Sequence, residues 1–292
     1  MQHQVFTTTV DNHTIEYSIV GAGEPILAFH GGHSNCLETF GYEALVEQGY
    51  QIITPSRMGY RGSSKPASNS LAETISLYRR LLIQLHIDQV HILGISAGGP
   101  SAILFAANYP TLTQSLLLES AVTGEWLTRK HLLFYIAQGM FRSPIEKWVW
   151  SLNARFFQWF PKLMFPMMAT SFTTLSRVEV KRQTLPDDLF KMKEMIDRQR
   201  SFHGFMIDLK QTKEVTTKDL KRVQCPTLLL YSPHDGAVSP AHSTYAGEHI
   251  PKATCQPVHT WGHLLWLGKG SEQTDQYALA FLQQYPIRKR NT

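Results

Sequence analysis

Ser96 lies in Gly94-Ile95-Ser96-Ala97-Gly98, between the apolar run Val90-His91-Ile92-Leu93 and a helix-like run from Pro100 to Asn108. A G-x-S-x-G between a buried strand and a helix is the setting of a nucleophile elbow, which lifts a serine hydroxyl out of the sheet. The turn is sharp enough to strain the serine backbone and to collide with larger neighbours, so glycine is needed two residues before and after it. Ala97 and Gly99 keep the rest of the turn small. A spectator serine in a tight strand-helix turn would carry the same letters, so the reading depends on partners. A serine hydroxyl is almost never ionised at neutral pH and needs a base. An imidazole can take the proton and return it to a leaving group, and a carboxylate behind it fixes the tautomer and stabilises the imidazolium.

Both partners lie downstream. Asp235, in Tyr231-Ser232-Pro233-His234-Asp235-Gly236, follows the strand-like run from Cys225 to Tyr231. His263, in Thr260-Trp261-Gly262-His263, follows the strand-like run from Ala253 to Val258. Taken singly, Asp235 reads equally well as an Asx-turn residue and His263 as a partly buried loop histidine. The order serine, acid, histidine, each after a predicted strand, favours a Ser96-His263-Asp235 triad. Glu119 is an alternative acid at the end of its own strand, and His259 is an alternative base. His234 reads as a loop residue.

A tetrahedral intermediate also needs preorganised N–H donors for its oxyanion. One donor is expected from Ala97, directly after the nucleophile. The other is expected from His30-Gly31-Gly32-His33, which follows the strand-like Ile26-Leu27-Ala28-Phe29, with Gly32 the first choice and His33 the second. His30 and His33 have a metal-like spacing, but no third ligand stands near them, so neither a metal nor a cofactor is expected.

The chain resembles the α/β-hydrolase fold family, in its serine-nucleophile branch with an inserted cap, over almost its whole length. The marks are His30-Gly31-Gly32, the loop Arg57-Met58-Gly59-Tyr60-Arg61-Gly62-Ser63, Gly94-Ile95-Ser96-Ala97-Gly98, Asp235 with Val238 and Pro240 after it, and Gly262-His263. Relatives often carry G-x-G in the loop at 57–63, and here Arg61 stands at the second glycine. That loop is structural in the resemblance. Serine as nucleophile separates the chain from the aspartate-using haloalkane dehalogenases and epoxide hydrolases that resemble it.

A chain of 292 residues can build one large core with a second layer on it, and 43% hydrophobic content is ordinary for a globular protein. The net charge is +5 and the pI about 9.0. Its basic residues are scattered, among them Arg79-Arg80, Arg129-Lys130 and Lys221-Arg222, with a short run Arg288-Lys289-Arg290 at the end. No basic stripe is interleaved with aromatics, so no nucleic-acid partner is expected. No apolar leader core begins the sequence and no run of about 18 apolar residues occurs, so neither secretion nor membrane insertion is expected. Three scattered cysteines, Cys36, Cys225 and Cys255, fit reduced thiols in the cytoplasm.

Strands and helices alternate along the chain. A hairpin is expected from Gln4–Val10 and Thr14–Val20, then a strand at Glu24–Phe29, a helix from Leu37 to Gln48 and a strand at Gln51–Pro55. An amphipathic helix over 71–86 follows from the spacing of Leu71, Ile75, Tyr78, Leu81, Leu82 and Leu85. After Ser96 and its helix comes a strand at Ser115–Glu119. This alternation implies an α/β fold, a mostly parallel sheet flanked by helices, with ligands beyond the strands' carboxyl ends.

The alternation stops near Ser120 and resumes near Cys225, which divides the chain into a core at 1–120, a helical cap at 121–222 and the rest of the core at 223–292. Trp126 to Phe172 holds four of the six tryptophans, with Phe134, Tyr135, Phe141, Phe156, Phe157, Phe160 and Phe165, and Met140, Met164, Met167 and Met168, beside them. These side chains suit an apolar pocket, the cap's own core, or a lipid interface with Arg155 and Lys162 beside the aromatics. From Arg177 to Lys221 mostly solvated helix faces are expected, with Asp208 on a helix surface or reaching the pocket. The expected substrate is a small molecule with an apolar acyl or aromatic part, cleaved at an ester or thioester. Lactone opening, aminopeptidase action, C–C hydrolysis, perhydrolysis, acyl transfer and non-catalytic ligand binding on the same fold stay open at this point.

Overall fold

The computed structural model describes residues 3–39, 41–66, 68, 70–127 and 132–287. Arg129-Lys130 and the closing run Arg288-Lys289-Arg290 lie outside the described residues.

The chain opens with a hairpin of β1 (Gln4–Val10) and β2 (His13–Gly21). Then come β3 (Glu24–Phe29), α1 (Glu43–Glu47), β4 (Tyr50–Pro55), α2 (Leu71–Gln84), β5 (Val90–Ile95), α3 (Gly99–Asn108) and β6 (Thr113–Glu119). Helices fill the stretch that follows: α4 (Leu132–Met140), α5 (Ile145–Trp159), α6 (Pro161–Ala169), α7 (Arg177–Gln183), α8 (Asp188–Arg198), α9 (Gly204–Gln211) and α10 (Thr217–Arg222). The chain returns to the sheet as β7 (Thr227–Tyr231), α11 (Ala241–His249), β8 (Ala253–Pro257) and α12 (Ser271–Gln284).

Among the described residues eight strands form one sheet in the order β1-β2-β4-β3-β5-β6-β7-β8. The pairs β1–β2 and β2–β4 are antiparallel, and the pairs from β4 through to β8 are parallel. Phe29 pairs with Gly94, Ile95 with Glu119, and Glu119 with Leu230. The strand ends are therefore level, and the loops after them open on one edge of the sheet.

Side chains alternate across the central strands. Leu27 and Phe29 pack with Ile75, Tyr78, Ile103 and Phe105, under α2 and α3. Ile26 and Ala28 pack with Leu45, Ala278 and Leu282, under α1 and α12. Burial on both faces makes β5 buried throughout, as parallel strands covered on both sides require. A third cluster joins the helical stretch to the loop after β8, with Phe157, Phe165 and Met192 against Trp261, Leu264 and Leu267.

Two elements differ from the sequence expectation. The helix expected from Leu37 to Gln48 is one short helix, Glu43–Glu47. Before it, Asn35 Oδ1 accepts from Leu37 N at 3.0 Å and Gly41 takes a positive φ of 77°, so side-chain hydrogen bonding and a left-handed residue hold an extended loop. The mostly solvated helix faces expected from Arg177 to Lys221 are present with two buried exceptions, Asp188, which accepts from Gly268 N at 3.1 Å, and Asp208, which pairs with Arg57.

Candidate active site

Ser96 sits at φ 50°, in the left-handed region that side chains seldom occupy. The flanking glycines have a direct steric cause. A Cβ on Gly94 would lie 2.5 Å from Ala102 Cβ, and one on Gly98 would overlap the carbonyl of Phe29. The turn Ser96–Gly98 leads straight into α3, whose start carries Pro100.

The structure brings the three expected residues together. His263 Nε2 lies 2.9 Å from Ser96 Oγ, and His263 Nδ1 lies 2.7 Å from Asp235 Oδ2. Asp235 Oδ1 accepts from Ala237 N at 2.8 Å and Val238 N at 2.9 Å. The Asx turn and the histidine contact therefore coexist, one on each carboxylate oxygen. With Nδ1–H donated to Asp235, His263 Nε2 has a lone pair for the serine proton.

The other candidates lie elsewhere. Glu119 is buried, and its carboxyl is pushed up to about 8 by burial and then by the charge of Asp275. His259 is exposed and His234 half-buried. His30 gives both ring nitrogens to backbone, Nδ1 with Gly31 O at 2.8 Å and Nε2 accepting from Arg57 N at 2.9 Å. Among the described residues no group of three His, Cys, Asp or Glu side chains could hold a metal ion. Burial pushes the Cys36 and Cys225 thiols up to about 11, which suppresses the thiolate.

Gly32 and Ala97 are neighbours across the site, since a Cβ on Gly32 would lie 3.7 Å from Ala97 Cβ. A Cβ on Gly31 would lie 3.3 Å from Ser96 Cβ, so the glycine loop passes close over the serine. His33 N–H is directed at Tyr60 Oη, 3.4 Å away, which favours Gly32 over His33 as the donor available to a ligand. The His33 ring stacks on Phe205 at 4.1 Å and approaches Phe141 at 4.2 Å, and its Nδ1 lies 2.6 Å from Ser201 Oγ. Burial holds this imidazole down to about 3, so it is neutral wherever the protein is folded at ordinary pH.

Three sets of supports escaped the sequence reading. Arg57 donates from Nε to His30 O at 2.8 Å and from Nη2 to Gly31 O at 3.1 Å, and α9 supplies Asp208 to hold the guanidinium. Arg61, at the place of the second loop glycine, adopts φ 41° and pairs with the buried carboxylate of Glu16. The turn after α6 is the third. Phe172 O accepts from His263 N at 2.8 Å and Gly236 N at 3.2 Å, while Thr174 N donates to His234 O at 2.9 Å. Thr173 Oγ1 donates to Trp261 O. A Cβ on Gly236 would lie 2.7 Å from Thr173 backbone, and one on Gly262 would overlap Phe172 O. Glycine beside each of Asp235 and His263 was the available signal, though nothing local says which segment comes close.

A cavity of about 320 Å³ adjoins Ser96, and the stretch between β6 and β7 lines it with Trp126, Ile136, Phe141, Trp150, Phe172 and Phe205. The volume and apolar character match a small-molecule site. The aromatics of that stretch divide three ways. Phe157 and Phe165 form its own core, Phe141 and Trp150 line the cavity, and Trp148 and Trp159 face outward.

Residues 24–269 match the family model described as alpha/beta hydrolase fold. The chain is 48% identical over 283 residues to the uncharacterized hydrolase YcgS of Bacillus subtilis strain 168, covering 97% of this chain and 100% of that relative. It is 24% identical over 269 residues to Lipase 1 of Psychrobacter immobilis, covering 88% of this chain and 76% of the lipase. A solved alpha/beta hydrolase fold protein from Nakamurella multipartita superposes with a TM-score of 0.80 at 22% identity, over 96% of this chain and 99% of that one. The chain belongs to the α/β hydrolase fold family.

Proposed function

We propose that this member of the α/β hydrolase fold family is a serine hydrolase that cleaves a carboxylic ester or thioester with an apolar acyl portion. The observation that carries the reading is the continuous relay from Ser96 Oγ through His263 to Asp235, at 2.9 Å and 2.7 Å, beside an apolar cavity. The lipase likeness agrees with it.

Ser96 Oγ attacks the carbonyl carbon while His263 Nε2 takes the hydroxyl proton. The oxyanion is held by the N–H groups of Gly32 and Ala97, a pair of donors of the kind worth roughly 10²–10³ in rate each. His263 returns the proton to the leaving alcohol or thiol as the carbon–oxygen or carbon–sulfur bond breaks. Water, deprotonated by the same imidazole, then attacks the acyl carbon, the acyl–Oγ bond breaks to release the acid, and His263 returns the proton to Ser96 Oγ. The Asp235 carboxylate fixes the imidazole tautomer and stabilises the imidazolium. Residues 121–222 act as a cap whose aromatic side chains receive the acyl portion.

The test is labelling with a fluorophosphonate, followed by a series of acyl esters. The expected result is label on Ser96, absent from Ser96→Ala, with turnover of activated esters. A protein that folds and binds but neither labels nor turns over any ester would instead be a ligand-binding member of the fold.

A further inference from the structure

Eighteen large apolar side chains are exposed among the described residues, and eleven of them fall between Tyr135 and Met167. They are ordered. On α5 the outward positions are Ile145, Trp148, Leu152, Phe156 and Trp159, spaced three or four residues apart along one face, while Glu146, Trp150 and Phe157 are buried on the opposite one. The helix therefore carries two apolar faces, and the fold uses one. Trp148 is 68% exposed, Trp159 64% and Leu163, on α6, 62%. Met140 on α4 and Met167 on α6 extend the surface, since α5 packs against both helices. Contiguous exposed apolar surface of this kind marks an interaction site.

Charge identifies the partner. From 132 to 170 the sequence has four basic residues, Arg142, Lys147, Arg155 and Lys162, and all are exposed. The one acidic residue, Glu146, is buried and paired with Arg200 at 2.9 Å. A second copy of this chain would bring basic side chains against basic ones. An anionic lipid surface would meet both features at once, with the apolar stripe in the acyl boundary, the basic residues among headgroups and the tryptophans at the level between. Among the described residues no helix is long and apolar enough to cross a membrane, so contact from one side is the available geometry.

We propose that the outward face of α4, α5 and α6 docks on an anionic phospholipid bilayer. Ile136 is both exposed on this face and part of the cavity wall beside Ser96, so the surface continues into the cavity. An acyl chain would pass from the bilayer to the serine without crossing water. That last step rests on the proposed hydrolase reading, whereas docking itself does not.

The experiment uses the full chain carrying Ser96→Ala, so that lipid is not consumed. Binding is read by flotation and tryptophan fluorescence with vesicles of phosphatidylcholine alone or mixed with phosphatidylglycerol. The expected result is flotation and a blue shift with the anionic vesicles. The triple change Trp148→Ser, Trp159→Ser and Leu163→Ser should lower partitioning by at least about tenfold. Lys147→Gln, Arg155→Gln and Lys162→Gln together should lower it by about fivefold per residue and remove the anionic preference. Both sets alter exposed side chains, so melting temperature should hold, and in the Ser96 background kcat/KM on a dissolved short ester should hold too. No flotation of the unaltered surface, or undiminished flotation by both altered ones, overturns the proposal. A dimer dissolved by the apolar changes would make a second copy the occupant and overturn it as well. Binding without any hydrolysis by the Ser96 protein would overturn the hydrolase reading and leave docking standing.

Discussion

Arg57 and Asp208 stand 151 positions apart and meet as a buried two-point ion pair, with Nη2 2.8 Å from Oδ2. Tyr60 Oη donates to the same carboxylate oxygen at 2.7 Å. Burial works against the guanidinium's charge, and the carboxylate outweighs it, so Arg57 stays protonated. The pair holds α9 to Arg57, whose Nε and Nη2 in turn donate to His30 O and Gly31 O in the glycine loop. Asp208→Ala would leave a buried charge without its partner, which costs about 3–5 kcal/mol. The expected outcome in urea unfolding is a loss of that size. Activity in Asp208→Ala should change in kcat more than in KM, because the loop carrying Gly32, the proposed oxyanion donor, is loosened. A loss under about 1 kcal/mol would show that the pair is not a tie.

Ser96→Ala should lower kcat by roughly 10³–10⁶-fold. The fold should survive, since alanine at a left-handed φ is no more strained than serine. Full activity in the purified variant would remove Ser96 from the mechanism.

Asp235→Asn should lower kcat by about 10²–10⁴-fold, through a disturbed tautomer and a lost negative charge. Glu119→Gln should be mild in the same assay. The reverse ranking would move the acid role to Glu119.

Glu119 predicts a pH dependence of stability. Its carboxyl sits at about 8 in the fold, well above the ordinary 4.5, so the folded state holds a proton that the unfolded chain releases. The contribution is whole below pH 4.5 and declines as pH rises to about 8, at up to about 1.4 kcal/mol per unit. Glu119→Gln removes this titration. In denaturant series at pH 5, 6.5 and 8, the wild-type protein should lose stability relative to the variant at each step. Parallel series would mean that Glu119 does not hold its proton.

The cavity can be separated from the core by chain length. For esters of rising acyl length, kcat/KM should climb by up to about fourfold per methylene until the cavity fills. Phe141→Ala, in the cavity wall, should blunt that climb and spare an acetate ester. Phe157→Ala, in the helical core, should cost about 3–5 kcal/mol of stability and leave the length preference alone. Unchanged preference in both variants would remove the apolar acyl portion from the reading.

The parts of this site written in local sequence were legible. Gly94 to Gly98 follows a strand and precedes a helix, and Asp235 and His263 each follow a strand, so the level strand ends bring them to one edge. What escaped was set by contacts between distant segments. Asp208 looks like any carboxylate on a charged helix until Arg57 arrives from 151 residues away. The helix expected from Leu37 to Gln48 shrinks to Glu43–Glu47 because the hydrogen bond from Leu37 N to Asn35 Oδ1 and the left-handed Gly41, neither evident from apolar spacing, hold the chain before it. On α5 periodicity could not assign an inward face, since Trp148 and Trp150 lie on opposite sides and both are apolar.

The stitching of Phe172, Thr173 and Thr174 to the loops of Asp235 and His263 bears on how this protein can be taken apart. By connectivity, residues 121–222 lie between β6 and β7 and invite exchange for the corresponding piece of a relative. By contact, the middle of that insertion belongs to the scaffold of the relay. A chimera joined at the strand ends would import a foreign turn against Gly236 and Gly262, and its relay would fail for reasons unrelated to the pocket it was meant to acquire. Grafts on either side of a retained native Phe172–Thr174 turn are instead expected to keep the relay's supporting contacts.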